Sequence, residues 1–117
     1  MGISERDRSI LEHIISYCND IADTVNRFGK SFEVFAKDKI YRNACAMCIL
    51  QIGELGGNLS TEFRSVYRQM PWNEIKAMRN VVAHAYGSIS IQATWETIES
   101  DIPALKDFCA DVLSGAI

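Results

Sequence analysis

The stretch Pro71 to Tyr86, PWNEIKAMRNVVAHAY, gathers four side chains that can work on a phosphodiester: Arg79, Asn80, His84 and Tyr86. Arginine offers a permanently charged, planar set of donors for phosphate oxygens. Histidine takes or gives a proton near neutral pH. Asparagine can hold the imidazole or donate to a developing oxyanion. Together these are the tools for in-line attack by a ribose 2′-hydroxyl on its neighbouring phosphate. RNA carries that internal nucleophile and DNA does not, and the reaction needs no metal. A metal centre fits the sequence poorly, because the chain has two His and no His–carboxylate cluster at ligand spacing. No cofactor is expected.

The element that must present these groups is a helix. At about 100° per residue, the core direction is set by Ile75, Met78, Val82 and Ala85. Arg79 and Tyr86 share one edge of that face, seven residues apart. Asn80 and His84, four apart, are directed away from it, with Lys76 and Ala83 between the two pairs. Arg79 and His84 therefore meet on one ligand only if it lies across this strip, or if the helix end turns His84 inward. Each residue also has a bland reading: a solvated His, an Arg in surface salt bridges, a Tyr packed at the edge of the core. Lys76 is a further cation on the strip. Arg64 and Arg68, four apart on one face, fit either a small phosphate-attracting patch or, as spacing alone favours, a solvated basic face.

The whole chain sets bounds on these readings. Its 117 residues suit a single domain spanning 1–117, and 48% hydrophobic with 23% charged is the balance of a soluble globular protein. No apolar run approaches the roughly 20 residues of a membrane span, and no secretory signal is visible, so a cytoplasmic location without membrane contact is expected. The net charge of −3 argues against non-specific binding of long duplex DNA and leaves only local basic contacts for a nucleic acid. Cys45 and Cys48 form a C-x-x-C that zinc or redox chemistry could use. It falls inside a helical apolar pattern without a second ligand pair, so it reads better as small buried thiols, like Cys18 and Cys109.

Apolar spacing by three and four predicts a first helix over 5–28, with Ser4 as its cap and Gly29 as its stop. Its rows are Ile10, Ile14, Tyr17, Ile21, Val25, Phe28 and Leu11, Ile15, Cys18, Ala22. A connection over 29–39 folds Phe32, Val34 and Phe35 back on the core and has room for a helical turn. A second long helix spans about 38–59, with Ala44, Cys45, Met47, Cys48, Ile52 and Leu55 apolar. Its Gly53, Gly56 and Gly57 imply either close helix–helix approach or fraying, and Glu54 among them reads as a solvated carboxylate rather than a site residue, though one that would be close to anything docked there. A short helix covers 61–69. A third long helix begins with Pro71 as its first residue and ends at Gly87. A last helix, capped by Ser88 or Ser90, carries a seam Ile91, Trp95, Ile98, Ile102, Leu105, Cys109, Val112, kinked by Pro103, with a frayed end. The seam suits packing within the monomer or across a dimer. The fold class is all-α: an up-and-down antiparallel bundle of four main helices plus a short extra helix.

Met78-Arg79-Asn80-Val81-Val82-Ala83-His84-Ala85-Tyr86 resembles the signature of the HEPN superfamily, and more narrowly that of HepT-type toxins of prokaryotic toxin–antitoxin pairs, Arg-Asn-x-x-x-His-x-Tyr. The likeness extends along nearly the whole chain: Ile10 to Ile14 in the first helix, Ile52-Gly53-Glu54, Pro71-Trp72 ahead of the motif, then Trp95 and Pro103. The resemblance implies an all-helical homodimer whose active sites form where the two motif helices meet. It implies metal-independent RNA cleavage carried by Arg79 and His84 with Asn80 in support. It also implies a nucleotidyltransferase antitoxin of the MNT type that can place AMP on Tyr86. The alternative is a non-catalytic HEPN subunit that docks such a partner or a nucleotide.

Overall fold

The computed structural model of the chain describes residues 2–83 and 88–117, and of 81–83 and 88–90 the backbone alone. Helix α1 runs Glu5–Phe28. Ser4 Oγ accepts the Asp7 N–H at 3.1 Å, which satisfies one of the donors a helix start leaves open. Gly29, at φ 114°, stops it and closes on the Val25 carbonyl. Ile10, Leu11, Ile14, Cys18 and Ile21 are buried as their spacing requires, while Ala22, expected in the stripe, faces solvent.

The connection folds into a short helix, α2 (Phe32–Lys37), capped by Ser31. Phe35 is fully buried and Phe32 half-buried, but Val34, expected on the core, is exposed. A helix this short turns one side inward, and Val34 lies between two inward positions three apart. Helix α3 spans Lys39–Gly57, with the Asp38 carboxylate accepting the N–H groups of Ile40 and Tyr41. Its core row is Tyr41, Cys45, Ile49, Ile52 and Gly56. Met47, counted with the apolar positions in the sequence, is rotated off that row and is 56% exposed.

Helix α4 (Thr61–Val66) is shorter than its expected range, because the chain turns at Tyr67. The Tyr67 carbonyl accepts the Trp72 indole N–H at 2.9 Å, which fastens this turn to the start of α5 (Trp72–Ala83). Pro71 stands just ahead of α5 rather than as its first residue, and its carbonyl accepts the N–H groups of Glu74 and Ile75. The expected helix end at Gly87 lies outside the described residues, and Ser88 and Ser90, expected as caps, lie inside α6 (Ser88–Glu96) instead of ahead of it.

A five-residue π-turn, Thr97–Asp101, joins α6 to α7 (Ile102–Ser114). Pro103 has no N–H for the carbonyl four residues before it. The chain answers by widening the helix, with the Ile102 N–H reaching back to the Thr97 carbonyl, instead of breaking. The seam from Trp95 to Val112 is buried inside this one chain, which decides the open question about it. The terminal residues, expected to fray, close α7: Gly115 adopts φ 81° and the Ala116 N–H bonds the Asp111 carbonyl.

Neighbouring long helices run antiparallel. The start of α1 meets the end of α3, where Asp7 accepts from the backbone N–H (2.9 Å) and hydroxyl (2.6 Å) of Ser60, the cap of α4. Burial by itself would raise the Asp7 carboxyl. The bonds from Ser60 outweigh it and hold the group below its ordinary value. At the other end, Tyr41 donates to the Gly29 carbonyl at 3.1 Å and stacks on Phe28. Helix α3 packs on both α1 and α5, and α7 packs on α1 and reaches the start of α5 through Phe108 and Trp72. Aromatic clusters close both ends: Phe28, Phe35, Tyr41 and Trp95 at one, Phe63, Tyr67, Trp72 and Phe108 at the other. The chain is thus an all-α up-and-down bundle of four main helical rods, α1, α3, α5 and α6–α7, with α2 and α4 between them and no strand among the described residues. None of the described helices is long and apolar enough to cross a membrane.

Candidate functional site

The site is built on the crossing of α3 and α5, the most extensive helix pair among the described residues. Three glycines of α3 face α5. A Cβ on Gly53 would lie 2.8 Å from the backbone nitrogen of Arg79, and one on Gly56 would lie 2.7 Å from the Ile75 side chain. Such distances are closer than real Cβ atoms tolerate, so Gly53 is what allows the α5 backbone at Arg79 to rest on α3. Close approach, not fraying, explains the glycines.

Arg79 leaves this crossing toward solvent. One guanidinium nitrogen, Nη1, donates to Glu54 Oε1 at 3.0 Å, and both side chains are about half exposed. A pair this open contributes at most about 1 kcal/mol to stability. Its effect is geometric, holding the guanidinium beside the motif helix through one of its five donors. Glu54 is the partner the structure gives Arg79, where the sequence favours a solvated carboxylate that would lie close to anything docked there. The available signal was its place next to Gly53: a carboxylate beside a helix-crossing glycine faces whatever the opposite helix carries there.

Asn80 is exposed on α5, adjoining Arg79. His84 and Tyr86 lie outside the described residues. Lys76 is exposed, and its side-chain stem runs against Gly57, whose Cβ would meet Lys76 Cγ at 3.3 Å. Arg64 and Arg68 are not at the crossing. They line a separate cleft at the start of α5.

The C-x-x-C does no visible chemistry. Cys45 is buried and Cys48 half-buried, and burial pushes their thiols up to about 12 and about 11. A thiol held protonated is a poor nucleophile and a poor metal ligand. Cys18 and Cys109 are likewise buried and pushed up to about 12.

A family described as ribonuclease HepT-like matches residues 11–112, which span the glycine crossing, Glu54 and Arg79. The chain belongs to the HepT-like ribonuclease family. It is 37% identical over 106 residues to a protein provisionally named as an RNase from Caldanaerobacter subterraneus subsp. tengcongensis, a match covering 91% of this chain and 93% of that one. It is 32% identical over 95 residues to a probable ribonuclease HepT of Thermococcus cleftensis, covering 77% and 86%. No solved structure matches it. Membership in the HepT-like family agrees with the resemblance read from the Arg79–Tyr86 stretch and with the all-helical fold.

Proposed function

We propose that this HepT-like chain is a metal-independent endoribonuclease that acts as a dimer and serves as the toxin of a toxin–antitoxin pair. The observation that carries the reading is the Arg79 guanidinium, aimed outward from the α3–α5 crossing by Gly53 and Glu54, on the helix that leads directly to His84. In the reaction, a base removes the proton of a ribose 2′-hydroxyl and the oxygen attacks the adjacent phosphorus. The bond to the departing 5′-oxygen breaks and that oxygen takes up a proton. The products carry a 2′,3′-cyclic phosphate and a free 5′-hydroxyl. Arg79 neutralises the charge that builds on the phosphate, His84 moves the proton, and Asn80 orients the imidazole or the phosphate.

In-line displacement puts the attacking and departing oxygens on opposite sides of phosphorus, and each chain brings one His to the motif. Two chains paired about their motif helices supply two. The face beside the site supports such pairing. Ile40 is 70% exposed and Met47 56%, and with Glu54 they repeat every seven residues along one stripe of α3. A nucleotidyltransferase antitoxin would silence the enzyme by moving AMP from ATP to the Tyr86 hydroxyl with loss of pyrophosphate. The adduct brings negative charge and bulk two residues from His84, where it competes with RNA for Arg79.

Arg79→Ala and His84→Ala should each abolish cleavage of RNA by metal-stripped protein, and growth inhibition with it, while helicity and dimerisation persist. Cleavage and toxicity equal to wild type in both variants would reject the proposal. Intact RNA together with tight binding of a nucleotidyltransferase would instead support the non-catalytic subunit.

A further inference from the structure

A second basic feature lies outside the crossing. Arg64, Arg68, Pro71, Trp72, Asn73 and Glu74 line a cleft of about 390 Å³ where α4 gives way to α5. Its wall is stiff. The Trp72 indole N–H bonds the Tyr67 carbonyl, and its ring packs at 5.7 Å from both Phe63 and Phe108. Neither arginine has an ion-pair partner among the described residues, in contrast to Arg79. The imbalance is local. Residues 60–80 hold Arg64, Arg68, Lys76 and Arg79 against Glu62 and Glu74, in a chain whose net charge is −3.

The cleft is continuous with the Arg79 site. Asn73 lines it, and Asn73, Lys76 and Asn80 follow at steps of three and four, all exposed, so they form one polar face of α5. Gly57 lets the Lys76 stem lie flat against α3 along this path. From Asn73 to Arg79 the helix advances about 9 Å, a span that a few nucleotides of single strand cross.

We propose that RNA held at Arg79 runs along this face of α5 and places a backbone phosphate in the Arg64–Arg68 cleft. The inference rests on the ribonuclease reading and deepens it: the substrate is a single strand bound over several nucleotides, not an isolated linkage. Two arginines on a preformed wall suit a phosphate, and the amides of Asn73 and Asn80 suit sugars or base edges between the charges. A narrow track in an acidic protein does not suit a long duplex. Glu74, at the cleft edge, opposes the phosphate and gives the idea a test of opposite sign.

Binding is measured with a 2′-O-methyl oligonucleotide of about twelve nucleotides, within the usual range of single-strand sites. It lacks the nucleophile, so binding is read apart from cleavage. Arg64→Ala with Arg68→Ala should weaken binding about ten-fold at low salt and make the log–log salt slope shallower by about 0.7, the value for one phosphate contact on a single strand. Glu74→Gln should tighten binding. Both variants change exposed or half-exposed groups, and circular dichroism checks that they fold. The proposal is overturned if the double variant binds with wild-type affinity and slope, if Glu74→Gln does not tighten binding, or if the arginines prove to hold a protein partner while RNA binding is untouched. Wild-type protein that binds in this way yet cleaves no unmodified RNA would sink the ribonuclease reading and keep the track.

Discussion

Glu54 both helps and hinders Arg79. It fixes the direction of the guanidinium, and it neutralises charge that a phosphate would otherwise feel. Glu54→Gln separates the two effects. Stability should change by no more than about 0.5 kcal/mol, since the pair is half exposed. RNA affinity should rise, because the guanidinium recovers its full charge. Turnover should fall about ten-fold, because the donor fork is no longer held in one orientation. Paired measurements of Kd and kcat on one RNA read this split, and variant values equal to wild type on both counts would mean that the backbone alone aims Arg79. Asp7 shows the opposite balance at this scale. It is buried and tied to Ser60, so its carboxylate joins the start of α1 to the start of α4 rather than serving chemistry.

At the scale of the element, the α3–α5 crossing is the part on which the site depends. Gly53 and Gly57 provide a controlled comparison, both glycines on the same helix facing the same partner. At Gly53 an added methyl meets backbone at 2.8 Å, which cannot move without displacing the helix. Gly53→Ala should cost about 1–3 kcal/mol through overpacking and should suppress cleavage even where the protein remains folded. At Gly57 the nearest atom is Lys76 Cγ at 3.3 Å, part of a flexible chain. The gain in helix propensity, up to about 1 kcal/mol, offsets that contact, so Gly57→Ala should be neutral or mildly stabilising with cleavage retained. Denaturant melts and single-turnover cleavage of both variants test the contrast. Similar losses in the two would show that the crossing does not position Arg79. The π-turn ahead of Pro103 makes a related point, since the last rod absorbs its proline without giving up the buried seam.

For the whole molecule, the proposed dimer requires a face that the monomer's own core leaves free. The seam Trp95–Val112 is consumed by the monomer's own core. Among the exposed large apolar side chains of the described residues, Ile40 and Met47 form a stripe on α3 leading to Glu54, while Val34, Val66 and Ile117 belong to other segments. Ile40→Lys with Met47→Lys should therefore leave the monomer's thermal stability within about 0.5 kcal/mol, because neither side chain is in the core. The same pair of changes should shift sedimentation from dimer to monomer and make cleavage depend steeply on protein concentration. A variant that sediments as a dimer would place the pairing surface elsewhere.

Much of this was legible in the chain alone, for a definite reason. Spacing by three and four, a serine or aspartate at the starts of α1 to α4 and a glycine at the first stop are local signals. They determine helices on local physics, and so α1 begins and ends at its expected residues. The Arg79–Tyr86 stretch was equally local, four chemical groups within a few turns. Met47 and Val34 were misjudged because apolar type does not say which side of a helix meets the core; packing against other helices decides that. The pairing of Glu54 with Arg79 was not legible because the two are 25 residues apart, and no local pattern encodes a contact made across two helices. The sequence by itself determined the elements and the chemistry they could carry. Only the tertiary structure decided that glycine-lined α3 brings Glu54 to Arg79 and that the last seam turns inward, because those outcomes depend on which surfaces meet once the helices are packed.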